Sequence, residues 1–335
     1  MKKGFLNPEQ RNKFLQDFLT SSSSSVRQKT LMILLMDEGE NIRDLDSTRL
    51  RKEEIKRTNL DLYANLLTPE QSNRFIREKI SSQSPLMVSR LGNIEARCIK
   101  DFLQAEYSPQ TYQDMSGSPG FFPIQKEMLD RFSRTFLSAA ESIDLLGVWF
   151  NPGEPDIIRQ SCPEANLVSL SALEPYFQNE PWSQALSGKR VMVIHPFAET
   201  IIRQYENHRK HLFEDPRILP QFELLTFKAV QSFAGQPTAF STWFDALDWM
   251  CEQIQQQDFE MALIGCGAYG LSLAAYIKHI GKQAIHLGGA LQILFGIKGR
   301  RWDADPSINR FYNQHWVRPS REEQPQNYQK YPAYW

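Results

Sequence analysis

The amino-acid sequence predicts a doubly wound α/β fold, in which a mostly parallel sheet carries helices on both faces. The clearest sign is residues 259–302, where the apolar run Met261–Ile264 passes through a glycine turn into a stretch with helical periodicity. Residues 189–256 alternate strand-like and helical runs, and Leu86–Ser89 is another short apolar run before a helical segment. Strands that alternate with helices are typical of βαβ units, so we expect a Rossmann-like architecture.

The other strands are predicted from short runs rich in apolar and β-branched residues: Leu145–Phe150, Asn166–Leu170, Val191–Ile194, Phe222–Phe227 and Gln283–Leu287. Residues 107–122 contain glycines, prolines and aromatic residues without a clear period, which predicts a loop.

Two segments flank this predicted domain. Residues 1–85 are polar and helix-compatible, with helix starts at Asn7-Pro8-Glu9 and at Thr68, where Gln71 completes a capping box. We expect a helical extension that either covers the sheet or mediates homo-oligomerisation. Residues 304–335 are polar but carry many aromatic residues, which predicts a tail that wraps on the domain or lines an acceptor groove. The predicted organisation is an extension (1–85), an α/β domain (86–303) and a tail (304–335).

Composition narrows the classes of function. The chain has 335 residues, a hydrophobic fraction of 41% and a formal net charge of -1, so nothing in the overall charge favours a nucleic-acid partner. No run approaches the roughly 18 apolar residues of a membrane span, and no apolar run follows the first lysines as in a secretory signal. The expected location is cytoplasmic, with peripheral attachment to the inner membrane face as a further option. The four cysteines lie far apart and predict neither a zinc site nor disulfides.

The glycine turn predicts an anion site. Glycines let the backbone approach a ligand closely, and the following helix offers unpaired N–H groups and the positive end of its dipole. The candidate ligands of a phosphate or diphosphate are Gly265, Gly267, Ala268, Tyr269, Gly270, His286 and Gly288. The dinucleotide fingerprint also needs an acidic residue after the next strand, where this chain has His286 and Leu287, so we discount NAD. A turn without a ligand is the structural alternative.

Polar side chains also follow two other predicted strands. Arg90, Asn93 and Glu95 follow the first, and His195 and Glu199 follow the strand at Val191–Ile194. Open α/β sheets bind ligands at the carboxyl ends of their strands, so Arg90 could pair with a phosphate, while His195 and Glu199 could act as acid or base. The alternative for both glutamates is a favourable charge in the first turn of a helix. Lys298, Arg300 and Arg301 form a cationic turn suited to a diphosphate or, alternatively, to solvent.

The segment Ser89-Arg90-Leu91-Gly92-Asn93-Ile94-Glu95 resembles the Ser-Arg-Tyr-Gly-Asp-Gly-Glu type segment of the GT-D fold glycosyltransferases, a bacterial family formerly known only as a domain of unknown function. Leu263–Gly289 resembles the strand, glycine turn, helix and strand that end the family's domain, and Val191–His195 occupies the place of its middle strand. The resemblance covers about residues 86–300.

This resemblance implies a transferase that moves a sugar from a nucleotide-sugar donor to a glycan acceptor, in bacterial surface-polysaccharide or protein glycosylation. It also implies a divalent metal, Mn²⁺ or Mg²⁺, at an Asp-Xaa-Glu motif. Glu95 matches the glutamate of that motif, and Asn93 stands in place of the aspartate, which weakens the expected metal site. Metal-independent transfer is then an option, with Arg90 and the cationic turn neutralising the leaving diphosphate.

Two other interpretations remain open. One is a Rossmann-like enzyme that uses NAD or S-adenosylmethionine at the glycine turn. The other is a non-catalytic nucleotide-binding scaffold, in which the extension and the tail mediate assembly.

Overall fold

The structure is a computed structural model that describes residues 41–326, 328–330 and 332–335. Its contacts divide the chain into two units, with the boundary between Leu60 and Asp61. In the first unit the described residues form helix α1, Asn41–Thr58. The predicted helix start at Asn7 lies outside the described residues. The contact boundary falls before the predicted one at residue 85, because the capped helix after Thr68 packs with the sheet.

The second unit is built on a seven-stranded sheet whose strands all run parallel. Its strands are β1 Leu86–Arg90, β2 Leu145–Val148, β3 Asn166–Ser169, β4 Arg190–His195, β5 Glu223–Lys228, β6 Met261–Ile264 and β7 Gln283–His286. Their order in the sheet is β3-β2-β1-β7-β6-β4-β5. The predicted fold class is therefore confirmed, and the strands β1, β7, β6 and β4 lie side by side at its centre.

Helices and short turns connect the strands. The helices are α2 Leu60–Tyr63, α3 Pro69–Ser82, α4 Asn93–Leu103, α5 Pro109–Ser116, α6 Lys126–Ala140, α7 Glu154–Ser161, α8 Ala198–Leu212, α9 Trp243–Gln255, α10 Tyr269–His279, α11 Ala290–Leu294 and α12 Pro306–Asn309. Helix α10 packs on β1 and β7 and against α6. Successive side chains of a strand point to opposite faces of the sheet, and α3 and α8 contribute to the core on the other face. None of the described helices is both long and apolar enough to cross a membrane.

Local sequence rules account for several of these helices. Thr68 Oγ1 accepts a hydrogen bond from the N–H of Gln71 at 3.2 Å, and Gln71 Oε1 accepts one from the N–H of Thr68 at 2.8 Å. This is the predicted capping box, and it starts α3. The predicted loop at 107–122 is wrong in part, because it contains α5, whose N-cap Ser108 accepts from the N–H of Thr111 at 3.2 Å.

The tail packs on the α/β unit. A parallel bridge joins Ile297 to Val317, and the buried rings of Trp316 and Trp335 belong to the hydrophobic core. This packing agrees with the prediction that the aromatic tail wraps on the domain, and it brings the last residues of the tail to the carboxyl edge of the sheet.

Candidate functional site

A cleft with a volume of about 310 Å³ lies at the carboxyl edge of the sheet, where the loops after β1, β4, β6 and β7 meet. Most of the predicted site residues line it: Arg90, Asn93, Glu95, His195, Gly265, Gly267, Tyr269, His286, Gly288 and Arg301. The strand order explains this convergence, since the four strands are adjacent and end at one edge. The segments 90–95 and 265–270, far apart in sequence, therefore share one cavity.

Arg90 is the cation at the centre of the cleft. Its guanidinium lies 4.6 Å from the ring centroid of Trp149, and Trp149 donates an indole hydrogen bond to the carbonyl oxygen of Leu91 at 3.0 Å. One Nη donates to the same carbonyl at 3.2 Å, whereas the buried Nε has no hydrogen-bond partner among the described residues. Burial lowers the pKa of Arg90, and the charge of Glu95 acts against this shift. An arginine stays charged under such a shift, so Arg90 presents a positive charge with a free donor.

Three carboxyl groups lie near Arg90 without pairing with it. The charge of Arg90 acts to lower the pKa of Glu95, Glu154 and Glu174, yet none of them forms an ion pair with it in the described part of the chain. Burial raises the pKa of Glu154 to about 7, although the backbone N–H groups of residues 149–151 donate to its carboxylate and act in the opposite direction. Negative charges near Arg90 thus favour its charged form, but Arg90 has no ion-pair partner among the described residues.

Glu95 and Asn93 do not fit a divalent metal ion. Glu95 lies in the first turn of α4 and folds back over Gly92, where it accepts from its own N–H, and burial raises its pKa. Asn93 is exposed. Across the described residues, no group of three or more His, Cys, Asp and Glu side chains is arranged to hold a metal. A hard cation needs several oxygen ligands, and one carboxylate beside an arginine does not supply them.

Two buried histidines flank the glycine turn. The Nδ1 of His195 accepts from the N–H of Phe197 at 2.9 Å, which places the imidazole proton on Nε2. His286 Nδ1 lies 3.0 Å from the hydroxyl oxygen of Ser89. Burial lowers the pKa of both imidazoles to about 3, with the charge of Arg90 adding to the effect at His286. Both rings are therefore neutral at ordinary pH, and His195 acts as a hydrogen-bond donor at the cleft.

Some of the backbone N–H groups of the glycine turn are available to a ligand, and others already donate within the protein. Gly267 has a φ of +59° and lies under the carbonyl of Pro119, which also accepts the N–H of Ala268 at 3.3 Å. Within the described residues, the N–H groups of Cys266, Gly267 and Tyr269 donate to no other backbone group, and all three residues line the cleft. Such amides at the start of α10 can receive an anion.

Several predicted residues lie away from the cavity. Gly270 packs behind it, where its missing Cβ leaves room for the ring of His286. Glu199 forms an exposed ion pair with Lys228 at 3.3 Å, and Lys298 lies 5.1 Å from the ring of Tyr312. Arg300 is exposed and meets the tail through its backbone N–H, whereas neighbouring Arg301 lines the cleft. Ala268 is buried in the turn.

The tail closes one side of the cleft. Tyr334 lies against Gly289, where a Cβ would be 2.7 Å from its ring, and its hydroxyl accepts from Arg301 at 3.3 Å. The ring of Trp335 packs edge-on against Phe233 and Phe197, with centroids 4.7 and 5.6 Å away. Part of the tail thus forms a wall of the site.

Sequence reasoning missed several residues of the cleft: Trp149, Ser232, Phe233, Gln292 and Trp335. Trp149 follows β2 and Phe233 follows β5, so the rule that selected His195 could have found them. Gln292 and Trp335 gave no such signal, because they reach the site through a short helix and a distant tail.

No family model matches the sequence. The lysine-specific histone demethylase 1B homolog of Caenorhabditis elegans is 30% identical over 139 residues, which cover 36% of this chain and 16% of that protein. The chain therefore spans about a sixth of the length of that relative.

Two solved structures are similar in fold. One is a selenomethionine-substituted structure of domain of unknown function 1792, with a TM-score of 0.44, 12% identity, and coverage of 79% of this chain and 98% of that chain. The other is described as showing that this domain has a distinct glycosyltransferase fold, with a TM-score of 0.41, 12% identity, and coverage of 76% and 94%. At this level of likeness, function has to be argued from the cleft itself.

Proposed function

We propose that the cleft binds a nucleotide-sugar and that the protein is a glycosyltransferase acting on a glycan acceptor. The observation that carries this proposal is the pairing of a cation without an ionic partner, Arg90, with unpaired backbone N–H groups at residues 266, 267 and 269 in one cavity. Cations and free amides together suit a diphosphate. The aromatic side chains of the same cavity suit the flat base and the sugar rings of such a donor.

Bond breaking requires that the charge left on the diphosphate be stabilised. Arg90 and Arg301 both line the cleft, and the start of α10 adds the positive end of a helix dipole. Fixed charges and dipoles in a partly buried site stabilise a developing negative charge better than water does. The donor set at Glu95 and Asn93 does not fit a metal, so the proposed transfer depends on these cationic groups.

Glu95 is the proposed base that accepts the proton of the acceptor hydroxyl. It lines the cleft, and burial raises its pKa, which makes it a stronger base than an exposed glutamate. His195 is assigned a different role, because its Nδ1 is already occupied and its Nε2 carries the proton. It donates a hydrogen bond to the ligand.

The wider setting follows the sequence resemblance. The proposed acceptor is a glycan of a bacterial surface polysaccharide or a glycosylated protein, reached from the cytoplasmic side of the membrane. The helical residues before the α/β unit are the proposed site of self-association.

A second candidate is a protein that binds nucleotides without turnover. The observation in its favour is that Asn93 is exposed and carries no charge where the resembled family has an aspartate. An NAD-dependent enzyme is less well supported, since His286, in the place of the ribose-binding acid, is buried against Ser89.

The proposal is tested with Glu95→Gln and Arg90→Gln in donor hydrolysis and transfer assays with UDP- and GDP-sugars. Glu95→Gln should keep donor binding and lower transfer by at least ~100-fold, because it removes the base. Arg90→Gln and Gly267→Val should weaken donor binding itself. Glu127→Gln is the matched control, an exposed glutamate in the first turn of α6, and should change neither.

The outcomes separate the candidates. Donor binding without turnover by the unaltered protein, in the presence of glycan acceptors, would favour the non-catalytic protein. Equal transfer rates for the unaltered protein and Glu95→Gln would remove Glu95 from the mechanism.

A further inference from the structure

Gln292 lines the cleft and carries a hydrogen-bond acceptor that no described residue uses. The side chain is fully buried, and its Nε2 donates to the carbonyl oxygens of Ile297 and Tyr334, both at 3.3 Å. Since both partners can only accept, the orientation of the amide is fixed and Oε1 must face the other way. This oxygen has no donor among the described residues.

Trp335 presents an unused donor. Its ring is held by Phe233 and Phe197, and its backbone oxygen accepts from the N–H of Arg300 at 3.2 Å, so its position does not depend on a ligand. Only 8% of the residue is exposed, yet its indole Nε1 has no acceptor in the described part of the chain. Tyr334, which accepts from Gln292, is its neighbour in the chain.

Buried polar atoms are normally paired, so an unpaired acceptor and an unpaired donor on two residues that line one cavity call for an explanation. A purely anionic group would be repelled by the amide oxygen of Gln292, and a cation would leave the indole unpaired. A neutral group with a donor next to an acceptor satisfies both. Sugar hydroxyls and the imide edge of a nucleobase have this chemistry.

We propose that Gln292 and Trp335 form the specificity-determining edge of the cleft and bind a neutral donor–acceptor group of the ligand. This inference rests on the proposed function, because the ligand is taken to be a nucleotide-sugar. Arg90 and the glycine turn would hold the charged part, and this edge would select which base or sugar is accepted. A site whose polar groups must be paired discriminates strongly against ligands that lack the matching group.

Trp335→Phe is the most informative variant, because it removes the N–H and keeps an aromatic ring. Gln292 is less suitable, since its Nε2 also supports Ile297 and Tyr334. The measurements are calorimetric titrations with UDP, UDP-glucose, GDP and GDP-mannose, together with thermal midpoints. Trp335→Phe should weaken binding about tenfold, equivalent to about 1.4 kcal/mol. Loss of buried ring surface will lower its midpoint, but by less than in a variant that also loses an indole hydrogen bond within the protein, because the N–H of Trp335 has no protein partner.

Trp316→Phe is the matched control. The indole of Trp316 donates to the carbonyl oxygen of Leu212 at 3.2 Å, outside the cleft, so this variant should lower the thermal midpoint more than Trp335→Phe does and leave affinity unchanged. On the unaltered protein, the indole N–H resonance of Trp335 should shift when the ligand is added, which tests the contact without relying on a variant.

The ligands distinguish the base from the sugar. If Trp335→Phe loses affinity equally for a free nucleotide and for its sugar conjugate, the edge contacts the base. If it loses affinity for the conjugate alone, the edge contacts the sugar. Unchanged affinity in Trp335→Phe, with Arg90→Gln weakened, overturns this inference and leaves the proposed function intact. If none of these ligands binds the unaltered protein, the proposed function fails and this inference with it.

Discussion

Gly288 gives Arg90 its place beside the cleft. A Cβ at Gly288 would lie 2.6 Å from an Nη of Arg90, and the φ of this residue is +60°. Gly288→Ala should therefore destabilise the fold by about 1 kcal/mol through backbone strain. It should also weaken nucleotide-sugar binding about 10- to 100-fold by displacing the guanidinium. Urea unfolding and calorimetric titration measure the two effects.

Gly281→Ala is a control for the strain alone. Gly281 has a φ of +82°, and a Cβ there would meet nothing within 4 Å. This variant should lose stability to a similar degree and bind the nucleotide-sugar normally. Equal affinities of the two variants would show that Gly288 does not act through Arg90.

The sequence located the charged residues of the site better than the residues that position them. Arg90, His195 and His286 each directly follow or end a strand, and the carboxyl-end rule selects such positions without a structure. The close contact of Gly288 with Arg90 depends on the side-by-side placement of β1 and β7, which are separated by almost the whole domain in sequence. No local pattern encodes that contact.

Among the secondary-structure elements, helix α8 has its N-terminus capped by a carboxylate from the tail. Glu323 is buried and accepts from the N–H groups of Glu199 and Thr200, at 2.9 and 3.2 Å, and from the hydroxyl of Thr200. A negative charge at a helix N-terminus is favourable, and hydrogen bonds to charged groups are strong. Glu323→Gln should lower the free energy of unfolding by about 1–3 kcal/mol and loosen the tail, as measured by urea unfolding and limited proteolysis.

The neighbouring Glu322 provides the comparison for this cap. Its side chain is exposed, so Glu322→Gln should leave stability and proteolysis close to those of the unaltered protein. If Glu323→Gln behaves in the same way as Glu322→Gln, the contacts of Glu323 do not hold the tail.

Elements with a clear local signal were predicted, and those set by tertiary contacts were not. The capping box at Thr68 and the strand Met261–Ile264 match the structure because each is encoded in adjacent residues. Helix α5 is not predicted because glycines, prolines and aromatic residues hide its Ser108-Pro109 start. Helix α7 is not predicted either; it begins directly after the residues Asn151-Pro152-Gly153, a sequence typical of a turn. The cap of α8 by Glu323 could not be predicted, since the two are more than a hundred residues apart in sequence.

At the scale of the whole molecule, the strand order creates the cleft. Strand-like and helical runs that alternate along the sequence predict successive βαβ units, and such units form a parallel sheet. These patterns do not predict the order of the strands in the sheet, β3-β2-β1-β7-β6-β4-β5, because that order depends on long-range packing. That order puts the loops after β1, β4, β6 and β7 together, and it buries two histidines at the ends of β4 and β7.

These buried imidazoles make the stability of the molecule depend on pH. An imidazole in an unfolded chain has a pKa near 6.5, whereas burial lowers the pKa of His195 and His286 to about 3. Between these values the unfolded chain binds more protons than the folded one, so acid favours unfolding. The stability due to the neutral histidines is complete above pH 6.5 and is lost as the pH falls towards 3. At pH 4.5 the loss should be about 2–3 kcal/mol per histidine.

His195→Asn isolates this contribution, because the asparagine oxygen can still accept from the N–H of Phe197 but has no proton to gain. Urea unfolding at pH 7.5 and 4.5 gives the change in free energy between the two conditions for each protein. That change should be smaller in His195→Asn than in the unaltered protein by about 2–3 kcal/mol, while the carboxyl groups with raised pKa values contribute equally to both. The exposed His279 supplies the control, since His279→Asn should keep the full acid dependence. An undiminished acid loss in His195→Asn would mean that His195 accepts a proton in the folded protein, and its role as a neutral donor in the cleft would then be wrong.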